Sequence, residues 1–288
     1  MANDISEHGG TMTDYLTLHG KRIAYDVTGE GPLVVLAHGM GDSRHAYRAM
    51  ADGLVEAGYR VARVDLRGHG ESDAGWGAWS RTAVAGDLVA LVRRLGGPAV
   101  VVGHSFAGGA AVIAAAGEPG LVRAVVGIGP FTRAQPVDVG ALVRDARHRK
   151  GLALLLGAAV FRSVGLWKRY LRHAHPTAVG PARLAALEAE LRRPGRMAAV
   201  ARMGMSAPTD AGARLADVRC PVLIVQGALD PDWPDPRAEG EGIVAELPPG
   251  LGRLEMIEGA GHYPHVECPD RVTAAVLAFL GLGEGVRA

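Results

Sequence analysis

Ser105 stands where a side chain could be forced into chemistry. Before it runs Val100-Val101-Val102-Gly103-His104, short and almost wholly apolar, and after it comes Phe106 and then a stretch of small residues from Ala107 to Ala116. That pattern predicts a strand buried on both faces, a very tight turn, and a helix packed closely on the sheet. A residue at the apex of such a turn has strained backbone angles, presents its hydroxyl outward, and has helix N–H groups behind it. A serine hydroxyl is a poor nucleophile at neutral pH, so acyl transfer also needs a base in contact with it. It further needs a carboxylate to hold that base in the useful tautomer and N–H donors aimed at the developing oxyanion. Downstream, Asp230 lies in a loop after an apolar run, and His262 lies in a loop after another. Asp232 and Asp235 compete with Asp230 for the acid, and His265 competes with His262 for the base.

The elements that must position these groups are legible from periodicity. Tyr15-Leu16-Thr17-Leu18 and Arg22 to Val27 flank His19-Gly20-Lys21 and predict a hairpin at the edge of a sheet. Strands are expected at Pro32–Ala37, Tyr59–Val64, Val122–Ile128, Pro221–Gln226 and Arg253–Ile257, those at Pro32–Ala37 and Pro221–Gln226 buried. Ser43 is placed to cap a helix to about Ala57. Ser80 is placed to cap another, whose Val84, Leu88, Leu91, Val92 and Leu95 share one side. Helices are also expected near Arg237–Leu247 and from Pro269 to about Leu280. Strands alternating with helices imply an α/β fold, a mostly parallel sheet with helices on both faces and its strand C-terminal loops on one edge. Between Phe131 and Asp210 the strand signal vanishes. Breaks are expected there at Pro136, Gly151, Gly165, Pro176, Pro181, Pro194-Gly195 and Pro208.

The chain resembles the α/β-hydrolases. Gly103-His104-Ser105-Phe106-Ala107 is similar to the G-x-S-x-G nucleophile elbow, with Ala107 in place of the last glycine. Gly227-Ala228-Leu229-Asp230 resembles the acid loop, and Gly261-His262-Tyr263-Pro264-His265-Val266-Glu267-Cys268-Pro269 the histidine loop. The stretch from Asp65 to Asp73 resembles the D-x-R-G-x-G-x-S loop, and His38-Gly39 the end of the oxyanion strand. The resemblance implies a catalytic set of Ser105, Asp230 and His262, in the family's order of serine, acid, histidine. It also implies an oxyanion hole from the backbone N–H groups of Met40 and Phe106. His38 is expected to brace the oxyanion loop at the substrate side, and Trp233 and Tyr263 to line the pocket. It further implies a core of residues 1–130 and 211–288 with a helical cap, residues 131–210, inserted after the sixth strand. A serine at 105 disfavours the dehalogenase and epoxide hydrolase chemistries of this family, which use aspartate there.

Composition bounds the function. The 288 residues hold 48% hydrophobic and 5% aromatic residues, so Val, Leu and Ala must build a sizeable core. A formal net charge of +1 argues against nucleic acid as the main partner. Cys220 and Cys268 form no CxxC pair, which argues against a disulfide framework. The first dozen residues carry Asp4, Glu7 and His8 and do not read as a signal peptide; with no long apolar stretch, a cytoplasmic protein off the membrane is expected. No dinucleotide glycine motif, Walker A loop or zinc helix occurs, so no cofactor or metal is expected. Between Ala141 and His175, eight basic residues face Asp145 alone. They read as a solvated outer face or as a cationic mouth for an anionic or carrier-bound substrate. The expected function is hydrolysis of an apolar ester, thioester or lactone by a monomer or homodimer. The alternatives are a biosynthetic enzyme using the same residues for elimination, carbon–carbon cleavage or acyl transfer, and a binding protein that keeps the fold.

Overall fold

The computed structural model describes residues 12–133, 138–177 and 179–284. The first eleven residues, with Asp4, Glu7 and His8, lie outside this range, as does Pro136. Strands β1 (Asp14–Leu18) and β2 (Lys21–Thr28) form the edge hairpin, and Leu18 pairs with Lys21 across the two-residue turn His19-Gly20. Both turn residues have positive φ, 50° and 73°, the combination whose twist matches that of the flanking strands. Strands β3 (Leu33–Ala37), β4 (Arg60–Val64), β5 (Ala99–His104), β6 (Val122–Ile128), β7 (Val222–Gly227) and β8 (Gly252–Ile257) complete one sheet in the order β1-β2-β4-β3-β5-β6-β7-β8. From β4 to β8 every neighbouring pair is parallel.

Alternation along the central strands sends side chains to two separate cores. Val35, Ala37 and Val101 pack under α2 (Arg81–Arg94) and α3 (Phe106–Gly117). Their sequence neighbours Val34, Leu36, Val100 and Val102 pack on the other face, which Met50 and Leu54 of α1 (Arg48–Glu56) cover. After β3 the chain crosses to β4 on one side, and after β5 it crosses to β6 on the other. The loops that leave β3 and β5 therefore part from each other and leave a crevice at the strands' carboxyl ends. Ser105 ends one of those strands, and His38 to Met40 end the other.

Between β6 and β7 the described chain is helical: α4 (Val139–Arg144), α5 (Ala146–Phe161), α6 (Val164–Ala174), α7 (Pro181–Leu191), α8 (Arg196–Gly204) and α9 (Thr209–Gly212). Their starts follow local rules: Asp138, Asp145 and Ser163 accept first-turn N–H groups, and Pro181 opens α7. A third apolar cluster, with Trp167, Tyr170, Leu171, Leu187 and Leu191, holds them together and takes in Tyr263 from the core. The chain closes with α10 (Pro236–Glu246), α11 (Pro264–Glu267) and α12 (Pro269–Glu284).

Two local expectations need correction. Gly151 and Gly165 break nothing; they lie inside α5 and α6. A Cβ on Gly151 would come within 3.0 Å of the Pro231 side chain, so this glycine serves close packing against the Asp230 loop. Nor does Ser43 cap one continuous helix. A 3₁₀ turn, Arg44–Tyr47, precedes α1, and the Ser43 side chain makes no capping bond. The Arg44 N–H goes instead to Asp65 Oδ1 at 2.8 Å, which leaves no need for a serine cap there.

Candidate active site

Ser105 has φ 52° and ψ −116°, a conformation that costs an L-residue on the order of 1–3 kcal/mol. Its surroundings impose it. A Cβ on Gly103 would lie 2.3 Å from Ala107 O, and one on Gly108 2.5 Å from Pro130 Cβ, so only glycines let strand and helix meet here. The Ser105 N–H donates to Ile128 O at 2.8 Å, tying the apex to the end of β6. Ala107 is fully buried among the residues under α2 and α3 and fits the turn.

Asp230 and His262 meet in the interior. The His262 Nδ1–H donates to Asp230 Oδ2 at 2.8 Å, with both side chains at most 2% exposed. Asp230 Oδ1 accepts the Asp232 N–H at 2.9 Å, which fixes the carboxylate's plane. The His262 N–H donates to Ala174 O, the last residue of α6, and His104 Nε2–H donates to His262 O, each at 2.9 Å. Glu267 explains its place in the histidine loop, since Oε1 accepts the Gly261 N–H at 2.8 Å.

Ser105 and His262 border the same short segment. Gly129, at φ 49°, passes so near the imidazole that a Cβ would lie 3.2 Å from Cε1, and the Phe131 N–H donates to Ser105 O at 3.1 Å. Among the described residues no hydrogen bond joins Ser105 Oγ to the imidazole. The Nε2 atom instead has Asp232 Oδ2 at 3.5 Å, itself held by the Tyr170 hydroxyl at 2.7 Å. Catalytic contacts are often long before substrate binds and tighten in the reacting complex. Burial opposes charge on His262, but the carboxylates of Asp230 and Asp232 outweigh it and push its pKa up to about 9. Burial, with Asp230 adding, raises Asp232. One atom each from Asp230, Asp232 and His262 lies within 4.8 Å of the others, the spacing of a cation site. Both Asp230 oxygens and the Nδ1–H are already engaged with one another and with the Asp232 amide.

Ser105, Asp232, Met40, Phe106 and Trp233 line a cavity of about 640 Å³ between the sheet's carboxyl edge and the helical segment. Leu142, Leu152, Leu155 and Met203 give it an apolar side, and the Phe131 and Trp233 rings meet at a tilt of 38° with centroids 4.6 Å apart. Phe106 opens α3, so its N–H has no intrahelical acceptor, and among the described residues the Met40 N–H has none either. His38 braces the loop as expected, but neither it nor Tyr263 is among the residues that line this cavity. His38 is fully buried, donating from Nδ1 to Gly39 O at 2.6 Å and accepting the Leu66 N–H at 3.0 Å, so both ring nitrogens serve loop backbone. Tyr263 stacks on His175 at 4.3 Å and stands edge-on to His262, wedged beneath α6 rather than open to the cavity.

The loop from Asp65 to Asp73 supports the site from behind. Asp65 accepts from the Arg44 guanidinium and from the Glu71 N–H, and Ser72 Oγ–H donates to Asp65 O at 2.7 Å. Arg67 makes a bidentate pair with Asp87, both contacts 2.7 Å. His69 Nε2 accepts the Gly41 N–H at 2.9 Å, and burial lowers its pKa to about 3, keeping it neutral. Of the basic residues between Ala141 and His175, Arg144, Arg149, Lys150, Arg162, Arg169 and Arg172 are exposed, and Lys168 pairs with Glu188.

This sheet, with a serine at the apex after β5 and an aspartate–histidine pair at the same edge, defines an α/β hydrolase. Residues 34–275 match the alpha/beta hydrolase family, and the chain belongs to it. It is 31% identical to an uncharacterized protein of Mycobacterium tuberculosis, over 94% of this chain and 81% of that one. It is 29% identical to 2-(acetamidomethylene)succinate hydrolase of Mesorhizobium japonicum, over 88% and 89%. Among solved structures it is similar to a malate-bound thermophilic esterase from Thermogutta terrifontis, with TM-score 0.73 and 26% identity over 93% and 98% of the two chains. A bromoperoxidase from Bacillus anthracis, at TM-score 0.79 and 20% identity over 94% and 100%, shares the fold.

Proposed function

We propose that this protein is a serine hydrolase that cleaves an ester, thioester or lactone through an acyl-enzyme. The observation that carries this reading is the buried Asp230–His262 pair, 2.8 Å apart, at the same sheet edge as a serine held at positive φ. In the proposed cycle Ser105 Oγ attacks the acyl carbon while His262 Nε2 takes its proton. His262 then gives that proton to the departing oxygen or sulfur. Water attacks the acyl-enzyme, His262 accepts its proton and returns one to Ser105, and the acid leaves. Asp230 keeps the Nδ1–H tautomer throughout, and the Met40 and Phe106 N–H groups hold the oxyanion. Residues 131–210 act as a cap that shapes the acyl pocket over a core of residues 1–130 and 211–288. Hydrolase names among the relatives support hydrolysis over pure binding.

The test is turnover of 4-nitrophenyl butyrate. Ser105→Ala should lower kcat by on the order of 10⁴ to 10⁶, as other triads lose it. A fluorophosphonate should label Ser105 alone. Wild-type-like turnover in the variant, or labelling elsewhere, would overturn the proposal.

A further inference from the structure

Arg81, the first residue of α2, lies on the cavity wall beside Ser105 and is 4% exposed. Its Nε–H donates to Phe131 O at 3.0 Å and an Nη1–H to Ser206 O at 2.9 Å, and the guanidinium lies 4.3 Å over the Phe106 ring. These contacts hold the fork in one orientation against the residue that follows the nucleophile. Among the described residues no carboxylate pairs with it, and Nη2 donates to none of them. Buried arginine is usually paired, because removing a charge from water is costly without an opposite charge.

The carboxylates around this cavity are committed elsewhere. Asp138 and Asp235 accept the Ala141 and Ala238 N–H groups, Glu239 pairs with Arg133 at 2.8 Å, and Asp232 takes the Tyr170 hydroxyl. Asp210, the acid that most favours Arg81's charge, is hydrogen-bonded to Thr82 N and Oγ1. Arg133, the other arginine on the wall, is already shared between Glu239 and Glu246. Burial lowers the Arg81 pKa to about 10, which still leaves it a cation at neutral pH. The cavity thus contains a fixed positive group, mostly stripped of water, that forms no ion pair with a described carboxylate and is favoured only from a distance by Asp210.

We propose that Arg81 binds a carboxylate borne by the substrate in addition to its scissile acyl group, so that the enzyme selects half-esters and related monoanionic acyl compounds. This rests on the serine hydrolase reading. The free carboxylate accepts from the unbonded guanidinium edge while the acyl carbon sits at Ser105, and the apolar side of the cavity takes the rest. A charge-assisted bond of this kind, made where water is excluded, separates charged from neutral substrates by about tenfold or more. The opposing possibility is that Arg81 is only a strut between α2 and the carbonyls of Phe131 and Ser206.

A matched pair of esters separates the two. Mono-(4-nitrophenyl) glutarate carries a terminal carboxylate, and 4-nitrophenyl valerate is a neutral counterpart of similar length. The proposal expects wild-type kcat/KM to favour the glutarate half-ester, the preference lying in KM and shrinking with added salt. In Arg81→Gln the charged-to-neutral ratio should fall at least tenfold, and Arg81→Lys should keep part of it. A ratio unchanged in Arg81→Gln, or a wild-type enzyme without preference, overturns the proposal even while neutral-ester turnover upholds the hydrolase. Glutarate binding to Ser105→Ala by calorimetry provides a readout without turnover. It is expected in that protein and lost when Arg81→Gln is added; no binding, or equal binding in both, counts against the anchor. If Arg81→Gln does not fold, the wild-type preference and the Ser105→Ala titration still decide.

Discussion

His262 faces a carboxylate on each of its two nitrogens, and that governs when it can act as a base. A base must be neutral, yet Asp230 and Asp232 hold the imidazolium form up to about pH 9. Glu267 acts in the same direction, while the neighbouring His104, His175 and His265 are kept neutral by burial. The acid limb of kcat/KM is therefore expected on the alkaline side of neutrality. Asp232→Asn removes one of the two opposing charges and should move that limb down by about one unit or more. A limb that stays in place in a pH–rate profile would show that Asp232 does not bear on the base. The same linkage touches stability. The folded pKa lies above the ordinary 6.5, so the contribution is full below that value and is lost as pH rises through about 9. Asp232→Asn should flatten this part of a denaturation–pH curve. At this scale Ser105, Asp230 and His262 were legible from loop motifs, but the direction of Asp232 was not, because a loop has no periodicity from which to read it. Arg81 did leave a trace. It precedes Val84, Ala85 and Leu88 by three, four and seven residues, which sets a charge on the inward stripe of α2.

The helical segment and the core are joined by contacts that also shape the site. Trp167 of α6 donates from Nε1 to Gly41 O at 3.2 Å, and Arg183 of α7 donates to Asp42 Oδ2 at 2.6 Å, both on the loop that carries Met40. Gly41 sits at φ 69° with the Trp167 ring where a Cβ would be, at 2.3 Å. Gly41→Ala should displace that loop and lower kcat more than tenfold for neutral and charged esters alike, with far-UV circular dichroism unchanged. Activity near wild type would detach the loop from catalysis. Behind it, Asp87→Ala leaves Arg67 buried without its carboxylate and should cost about 3–5 kcal/mol in urea denaturation. A loss below 1 kcal/mol would mean that the Ala78 and Ala83 carbonyls suffice. Elements of this kind were read from sequence by their caps and alternation. Gly151 and Ser43 misled because their roles depend on Pro231 and Asp65, partners that are distant along the chain.

Taken whole, the molecule presents one sheet with two covered faces, and that was open to sequence because continuous apolar strands need helices on both sides. How the helices between β6 and β7 sit on one another was not, since their mutual packing has no strand order to constrain it. No helix among the described residues is long and apolar enough to cross a membrane. The exposed cations Arg144 and Arg149 belong to the outer face of that segment. Reversing both to Glu should change kcat/KM for the glutarate half-ester less than twofold, in contrast to the effect of substituting Arg81. A large change would mean that the outer face steers substrate. The bond from the His262 amide to Ala174 O has a broader consequence for design. A graft that replaces the helices between β6 and β7 to change substrate choice also replaces the strut on which His262 rests. Chimeras that keep α6 through Ala174 and vary only α4, α5 and α8 should retain turnover, whereas exchanges that cut across α6 should lose it whatever pocket they install.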